Sequence, residues 1–196
     1  MRSVERTLLL DALLRVAFTA TVSGTSTFIE SWGLTMYLYV ARHAWAGHYG
    51  DPGDWGDDSL RPLTTEGIER YRQVLKRLRS ADMSPTVIAT SPYTRCLQTA
   101  ELIAEVCGGD LVELEALALG AELDELVAWS NEQNVDHVCW VGHNPDVQHL
   151  TASLVGDGYG SIRFAKGSVA AVRFYGDIEP GQGELYWHAT AKLLGV

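Results

Sequence analysis

The feature that most constrains the fold is an alternation that begins at Met36 and runs to Ala191. Short apolar stretches of strand length, Met36–Ala41 (MYLYVA), Thr86–Thr90 (TVIAT) and His137–Val141 (HVCWV), are separated by longer segments of helical character. Thr65–Ser80 repeats apolar residues at helical spacing through Ile68, Tyr71, Leu75 and Leu78, and Tyr93–Cys107, Glu122–Glu132 and Asp146–Val155 read as further helices. Strands that are apolar at nearly every position need cover on both faces, which is the situation of a parallel sheet between layers of helices. Gly108-Gly109 supplies the positive-φ backbone that ends a helix, and Gly156 stops the last one. Ser168–Tyr175 and Glu184–Ala191 alternate like a terminal antiparallel pair, joined through a loop with Pro180 and Gly181. The pattern predicts an α/β three-layer sandwich with a mainly parallel central sheet and helices on both faces.

Residues 1–35 differ from this pattern. Leu8, Leu9, Ala12, Leu13, Val16 and Ala17 approximate a helical stripe, and a Ser/Thr/Gly-rich stretch follows from Thr19 to Thr27. The expected organisation is an N-terminal extension over 1–35, outside the core fold, and one domain over 36–196. Asp11 and Arg15 interrupt the apolar run Leu8–Phe18, which argues against a signal peptide, and no uninterrupted apolar stretch is long enough to span a membrane.

Three predicted strands end on unusual polar residues: Arg42-His43 after the first, Ser91-Pro92-Tyr93-Thr94-Arg95 after the second, Gly142-His143-Asn144-Pro145 after the third. In a parallel sheet these ends share one edge, the edge where open α/β sheets bind ligands. Two histidines and two arginines far apart in sequence are thereby brought over one pocket. Guanidinium forks grip phosphate through paired charged hydrogen bonds. A neutral imidazole is a competent nucleophile near neutral pH, and a second imidazole can hydrogen-bond a phosphoryl oxygen as charge spreads. Singly, each residue has a plainer explanation, a structural histidine or a surface ion pair; the coincidence at three strand ends favours a site. No Asp/Glu/His cluster with metal-ligand spacing surrounds them, so neither a metal nor another cofactor is required, and the absence of a GxxxxGK[ST] loop argues against a nucleotide triphosphatase.

The formal net charge of −10 excludes a non-specific nucleic-acid binder and means that any phosphate site must be a local concentration of positive charge. The acidic loop Trp45–Leu60, with Asp51, Asp54, Asp57 and Asp58, lacks the closing Glu of a calcium loop and reads as a solvated rim of the pocket. Cys96, Cys107 and Cys139 have no paired or metal-type spacing and read as reduced thiols of a cytoplasmic protein.

Val40-Ala41-Arg42-His43-Ala44, Arg61-Pro62-Leu63-Thr64-Thr65-Glu66-Gly67, Ser91-Pro92-Tyr93-Thr94-Arg95-Cys96-Leu97-Gln98-Thr99-Ala100 and Val141-Gly142-His143-Asn144-Pro145 together resemble the histidine phosphatase superfamily, the phosphoglycerate-mutase-like fold, and most of all its SixA-type phosphohistidine phosphatases. The resemblance implies that His43 attacks phosphorus and becomes a phosphohistidine that water hydrolyses. It implies that Arg42 and Arg95 hold the phosphoryl oxygens, that His143 completes the pocket, and that a backbone carbonyl steers the ring of His43. Ala44 stands where the family usually has glycine, which is tolerable at negative φ. Many relatives carry a general acid near Glu113-Leu114-Glu115-Ala116; Glu115 is the candidate, although Ala116 falls at the expected place and both glutamates also fit a solvated strand face. The lack of an acid at the expected place favours a leaving group that departs easily, such as the imidazole of a phosphohistidine. The substrate is then a phosphorylated protein or a small phosphate compound. A sugar-phosphate phosphatase or mutase of the same fold stays open as an alternative, although a mutase needs extra basic residues that are not evident in this acidic chain. So does a phosphoprotein-binding module without turnover.

Overall fold

The computed structural model describes residues 35–47 and 55–196. The expected extension over 1–35 lies almost wholly outside the described residues, as do Asp51 and Asp54. Six strands form one sheet: β1 (Thr35–Arg42), β2 (Val87–Thr90), β3 (Asp110–Glu113), β4 (His137–Gly142), β5 (Val169–Tyr175) and β6 (Glu184–Ala189), in the order β3-β2-β4-β1-β5-β6. β3, β2, β4 and β1 pair in parallel, and β5 and β6 extend the sheet with antiparallel pairings. The helices are α1 (Thr65–Arg79), α2 (Thr94–Cys107), α3 (Leu123–Glu132) and α4 (Asp146–Val155). The three-layer α/β sandwich is therefore the observed fold.

The side-chain alternation of β1 explains the layers. Tyr39 and Ala41 point to one face, where they pack with Tyr71, Val74, Leu75 and Leu78 of α1 and Cys96, Ala100 and Ile103 of α2. Leu38 and Val40 point to the other, with Leu126 of α3 and Val147, Leu150 and Leu154 of α4. Each such fully buried aliphatic side chain contributes roughly 1.5–3 kcal/mol. Trp140, also fully buried, satisfies its indole N–H on the Ser130 hydroxyl at 2.9 Å.

Thr64 caps α1 by accepting from the Gly67 N–H at 3.0 Å. Gly108 and Gly109 end α2 at φ 89° and 108°. Gly156 is different: its φ of −172° is extended backbone open to any residue, so the stop there does not depend on glycine. Of the solvated strand face that Glu113 and Glu115 fit, β3 takes in Glu113 alone; on this exposed edge only Val112 is partly buried and the apolar signal is weak.

Candidate active site

The carboxyl ends of β1, β2 and β4 lie side by side. The register pairs Arg42 with Gly142 and Thr90 with Val141, so the next segments, His43, Ser91–Arg95 and His143, leave the sheet together. His43, Arg95 and His143 are buried polar groups, 6%, 3% and 2% exposed, and Arg42 is half-buried. The rings of His43 and His143 are 5.5 Å apart between centroids.

The tautomer of His43 is set by its anchor. Its Nδ1 lies 2.8 Å from the Ala44 carbonyl oxygen, an atom that can only accept, so Nδ1 carries the proton and Nε2 keeps its lone pair. Burial, opposed by this hydrogen bond and reinforced by the Arg95 charge, lowers the His43 pKa to about 3, which keeps the ring neutral at physiological pH. The peptide that carries the anchor is itself held: Ala44 N–H donates to Thr99 Oγ1 at 3.0 Å, and the Thr99 hydroxyl donates to the Arg95 carbonyl at 2.6 Å. Ala44 is absent from the positive-φ positions, so alanine replaces glycine here without backbone strain.

Thr99→Val removes a buried acceptor while keeping the shape. It is expected to destabilise the fold by about 1–3 kcal/mol in chemical denaturation and to lower kcat more than it raises KM, because it loosens the anchor of the His43 ring.

His143 accepts at Nδ1 from Arg95 Nη2 (3.2 Å) and donates from Nε2 to Ser91 Oγ (2.9 Å). Both its nitrogens are thus engaged within the protein, and its evident work is to hold the Arg95 fork. Burial first, then Arg95, lowers its pKa to about 4. Asp58 holds the other side of Arg95, through its carbonyl (2.8 Å) and its carboxylate (3.1 Å), and the same carboxylate pairs with Arg61 at 2.8 Å. Arg42 Nη1 donates to the Phe164 carbonyl at 2.8 Å. The Nε atoms of Arg42 and Arg95 are buried and find no partner among the described residues. Lys166 joins this group of cations: burial, then Arg42, Arg61 and Arg95, push its pKa down. Among the described residues Arg42, Arg61, Arg95 and Lys166 gather here against the carboxylate of Asp58, which pairs with Arg61 and Arg95; this is the kind of local positive field that a chain of net charge −10 needs at a phosphate site.

Sequence reasoning missed three participants. Asp58 was expected on a solvated rim; instead its side chain is 34% exposed and bridges two arginines. The available signal was the opposite charge of Asp58 and Arg61 three residues apart. Thr99 lay within the Ser91–Ala100 motif with no role read for it, and Lys166 carried no signal of its own. Glu113 ends β3 and Glu115 opens a short 3₁₀ turn, both exposed. Among the described residues neither bonds to the histidines or arginines of the site, while Ala116 and Leu117 enter the core. Glu115 does follow β3 at the same edge of the sheet as His43.

The family model of the histidine phosphatase superfamily (branch 1) matches residues 38–126. An uncharacterised protein of Picosynechococcus sp. is 38% identical over 117 residues, 57% of this chain and 68% of that protein. The chain belongs to the histidine phosphatase superfamily. The phosphohistidine phosphatase SixA of Escherichia coli is 29% identical over 167 residues, covering 79% of this chain and 94% of that protein. A solved structure of SixA complexed with tungstate aligns with a TM-score of 0.70 at 25% identity, over 81% of this chain and 99% of that one. The family match together with the likeness to these phosphatases makes the chain a phosphatase, a hydrolase acting on a phosphorylated substrate. Among its described residues no helix is long and apolar enough to cross a membrane.

Two neutral buried imidazoles have a cost in acid. Between about pH 4 and 6.5 the unfolded chain binds protons on His43 and His143 that the folded chain does not, so stability falls as pH drops through that window and is complete above it. The unfolding free energy is expected to fall by roughly 2–4 kcal/mol between pH 7 and 4.5 in urea titrations, and by less in His43→Gln/His143→Gln.

Proposed function

We propose that this enzyme is a protein phosphohistidine phosphatase that turns over through a phosphorylated His43. The observation that carries the reading is a neutral, buried imidazole whose Nε2 keeps its lone pair, near the charges of two arginines whose buried Nε–H groups find no partner among the described residues. Nε2 attacks phosphorus in line while the phosphoryl oxygens take the donors of Arg42 and Arg95. The bond to the leaving group breaks, and the phosphoryl group rests on Nε2 until water displaces it and the lone pair returns to the ring. Arg95 and Arg42 bind and stabilise the transferring group, and His143 positions Arg95 and completes the pocket.

The leaving group supports the choice of substrate. Asp58 is the carboxylate in ionic contact with the site, and its hydrogen bond to Arg61 lowers its pKa, so it is a carboxylate base and a poor proton donor. Glu115 is the proposed donor, from the exposed turn that follows β3. A phosphohistidine needs little from it, since a protonated imidazole leaves as a neutral ring; an alkoxide needs a positioned acid, a contribution of about 10²–10⁴-fold. The reaction is proposed to need no metal, because the arginines supply the charge compensation a divalent ion would otherwise provide. The three thiols, free in the structure and pushed up in pKa by burial, suit a reducing cytoplasm.

A panel of a phosphohistidine protein, a phosphoserine peptide, a sugar phosphate and an aryl phosphate, each with and without EDTA, tests this. The expected kcat/KM is at least about 10²-fold higher on the phosphohistidine protein than on the sugar phosphate, with no effect of EDTA and little effect of Glu115→Gln on the phosphohistidine arm. Equal or reversed preference would overturn the substrate assignment, and EDTA inhibition the metal-free one.

A further inference from the structure

Beside the catalytic pocket lies a cavity of about 390 Å³ lined by Trp45, Arg70, Arg163, Lys166 and Lys192, with Ala165, Thr190 and Ala191. Its position is set by the sheet. β5 pairs antiparallel with both β1 and β6, so the carboxyl end of β6 returns to the edge where β1 delivers Arg42-His43; Ala41 pairs with Val169, and Val169 with Ala189. The two sites share a wall. Gly167 N–H donates to the His43 carbonyl at 3.1 Å, and the Trp45 ring packs against Gly167 so closely that an added Cβ there would lie 2.9 Å from it. Lys166, next in sequence, faces both the cavity and the arginines of the catalytic pocket.

Among the described residues no side-chain carboxylate lines this cavity. Arg70 is committed to the wall: it stacks on Trp45 at 4.4 Å and donates to the Val196 oxygen at 2.9 Å. Arg163 and Lys192 are exposed and make no ion pair among the described residues. With the catalytic cations, this edge gathers almost half of the 15 Lys and Arg of a chain whose net charge is −10. Surface cations left uncompensated around a concave space, in a field that otherwise repels anions, are a recognition element for an anion. The expectation that the chain lacks basic residues for a second anionic group is thus corrected: they are scattered in sequence, at 70, 163, 166 and 192, and only the fold collects them.

We propose that this cavity is a second anion subsite that binds an oxyanion of the substrate other than the phosphoryl group transferred. The proposal rests on the phosphohistidine reading for its source: an Asp or Glu side chain of the substrate protein. β6 lies two strands from β1, about 10 Å at the ordinary strand spacing, and an extended peptide covers that distance in about three residues. The enzyme then prefers a phosphohistidine with an acidic residue about three positions away. A second phosphate on a small molecule offers the same chemistry at the same spacing.

Two phosphohistidine peptides, one with Glu and one with Gln three residues from the phosphorylated position, are compared with a bisphosphate and its monophosphate. The wild type is expected to prefer the Glu peptide roughly tenfold in low salt, the preference shrinking at high ionic strength and disappearing in Arg163→Gln/Lys192→Gln. Preference for the bisphosphate without preference for the Glu peptide supports the subsite and overturns its protein source. Equal rates in both pairs, or a preference that survives the double substitution, overturn the subsite. Calorimetry with inorganic phosphate separates this from the catalytic reading. Two binding events in the wild type and one in Arg163→Gln/Lys192→Gln establish the subsite even if no substrate is turned over. Identical single-event isotherms for both proteins overturn it.

Discussion

His43→Ala is expected to eliminate the phosphoenzyme and to lower turnover by on the order of 10⁴ or more, because it deletes the atom proposed to bond to phosphorus. The intermediate is trapped by quenching single turnovers in alkali, where a phosphohistidine persists; in acid the protonated ring is lost from phosphorus. The variant should keep the fold and bind inorganic phosphate within a few-fold of the wild type, since Arg42 and Arg95 remain and both are held by partners other than the His43 ring. Substantial residual turnover, or a phosphoenzyme that persists without His43, would move the nucleophile elsewhere. Loss of phosphate binding together with turnover would instead show that the ring organises the pocket.

Arg95→Ala carries the second large effect, and its size depends on Asp58. Removing the guanidinium deletes a buried charged donor and leaves His143 Nδ1 without its partner. It also leaves the Asp58 carboxylate beside the pocket, still ionised through Arg61, where it repels the incoming phosphate. The expected loss in kcat/KM is about 10²–10³-fold, or roughly 2.7–4 kcal/mol. The double substitution Asp58→Asn/Arg95→Ala is expected to recover part of it, because the unpaired negative charge goes as well. Asp58→Asn alone should lower activity by loosening Arg95. Additive losses in the double variant would mean that Asp58 acts independently of Arg95.

The pairing of Asp58 with Arg95 was not legible in the chain, whereas the residues it serves were. Arg42, His43, Arg95 and His143 could be found because each lies just beyond an apolar strand, and parallel strands bring their carboxyl-terminal residues to one edge. The anchor of His43 was legible only as a kind of group, a backbone carbonyl; that it is Ala44, steadied by Thr99 from α2, depends on how the helix packs against the loop. Asp58 looked like one acid among several in a loop rich in Asp and Gly. Its role depends on a turn that sets it three residues before Arg61 and over Arg95. β3 was legible only as a solvated strand face around Glu113, because an exposed edge strand has no apolar run to announce it.

The sequence by itself determined the layered α/β fold and the four polar residues at three strand ends. Both arise from local periodicity, and periodicity survives in one dimension. Only the tertiary structure decided the electrostatics: which carboxylate answers which arginine, why both imidazoles stay neutral, and that Arg70, Arg163, Lys166 and Lys192 surround one cavity. Those depend on burial and on distances between residues far apart along the chain, and neither quantity exists until the sheet has closed and the helices have packed upon it.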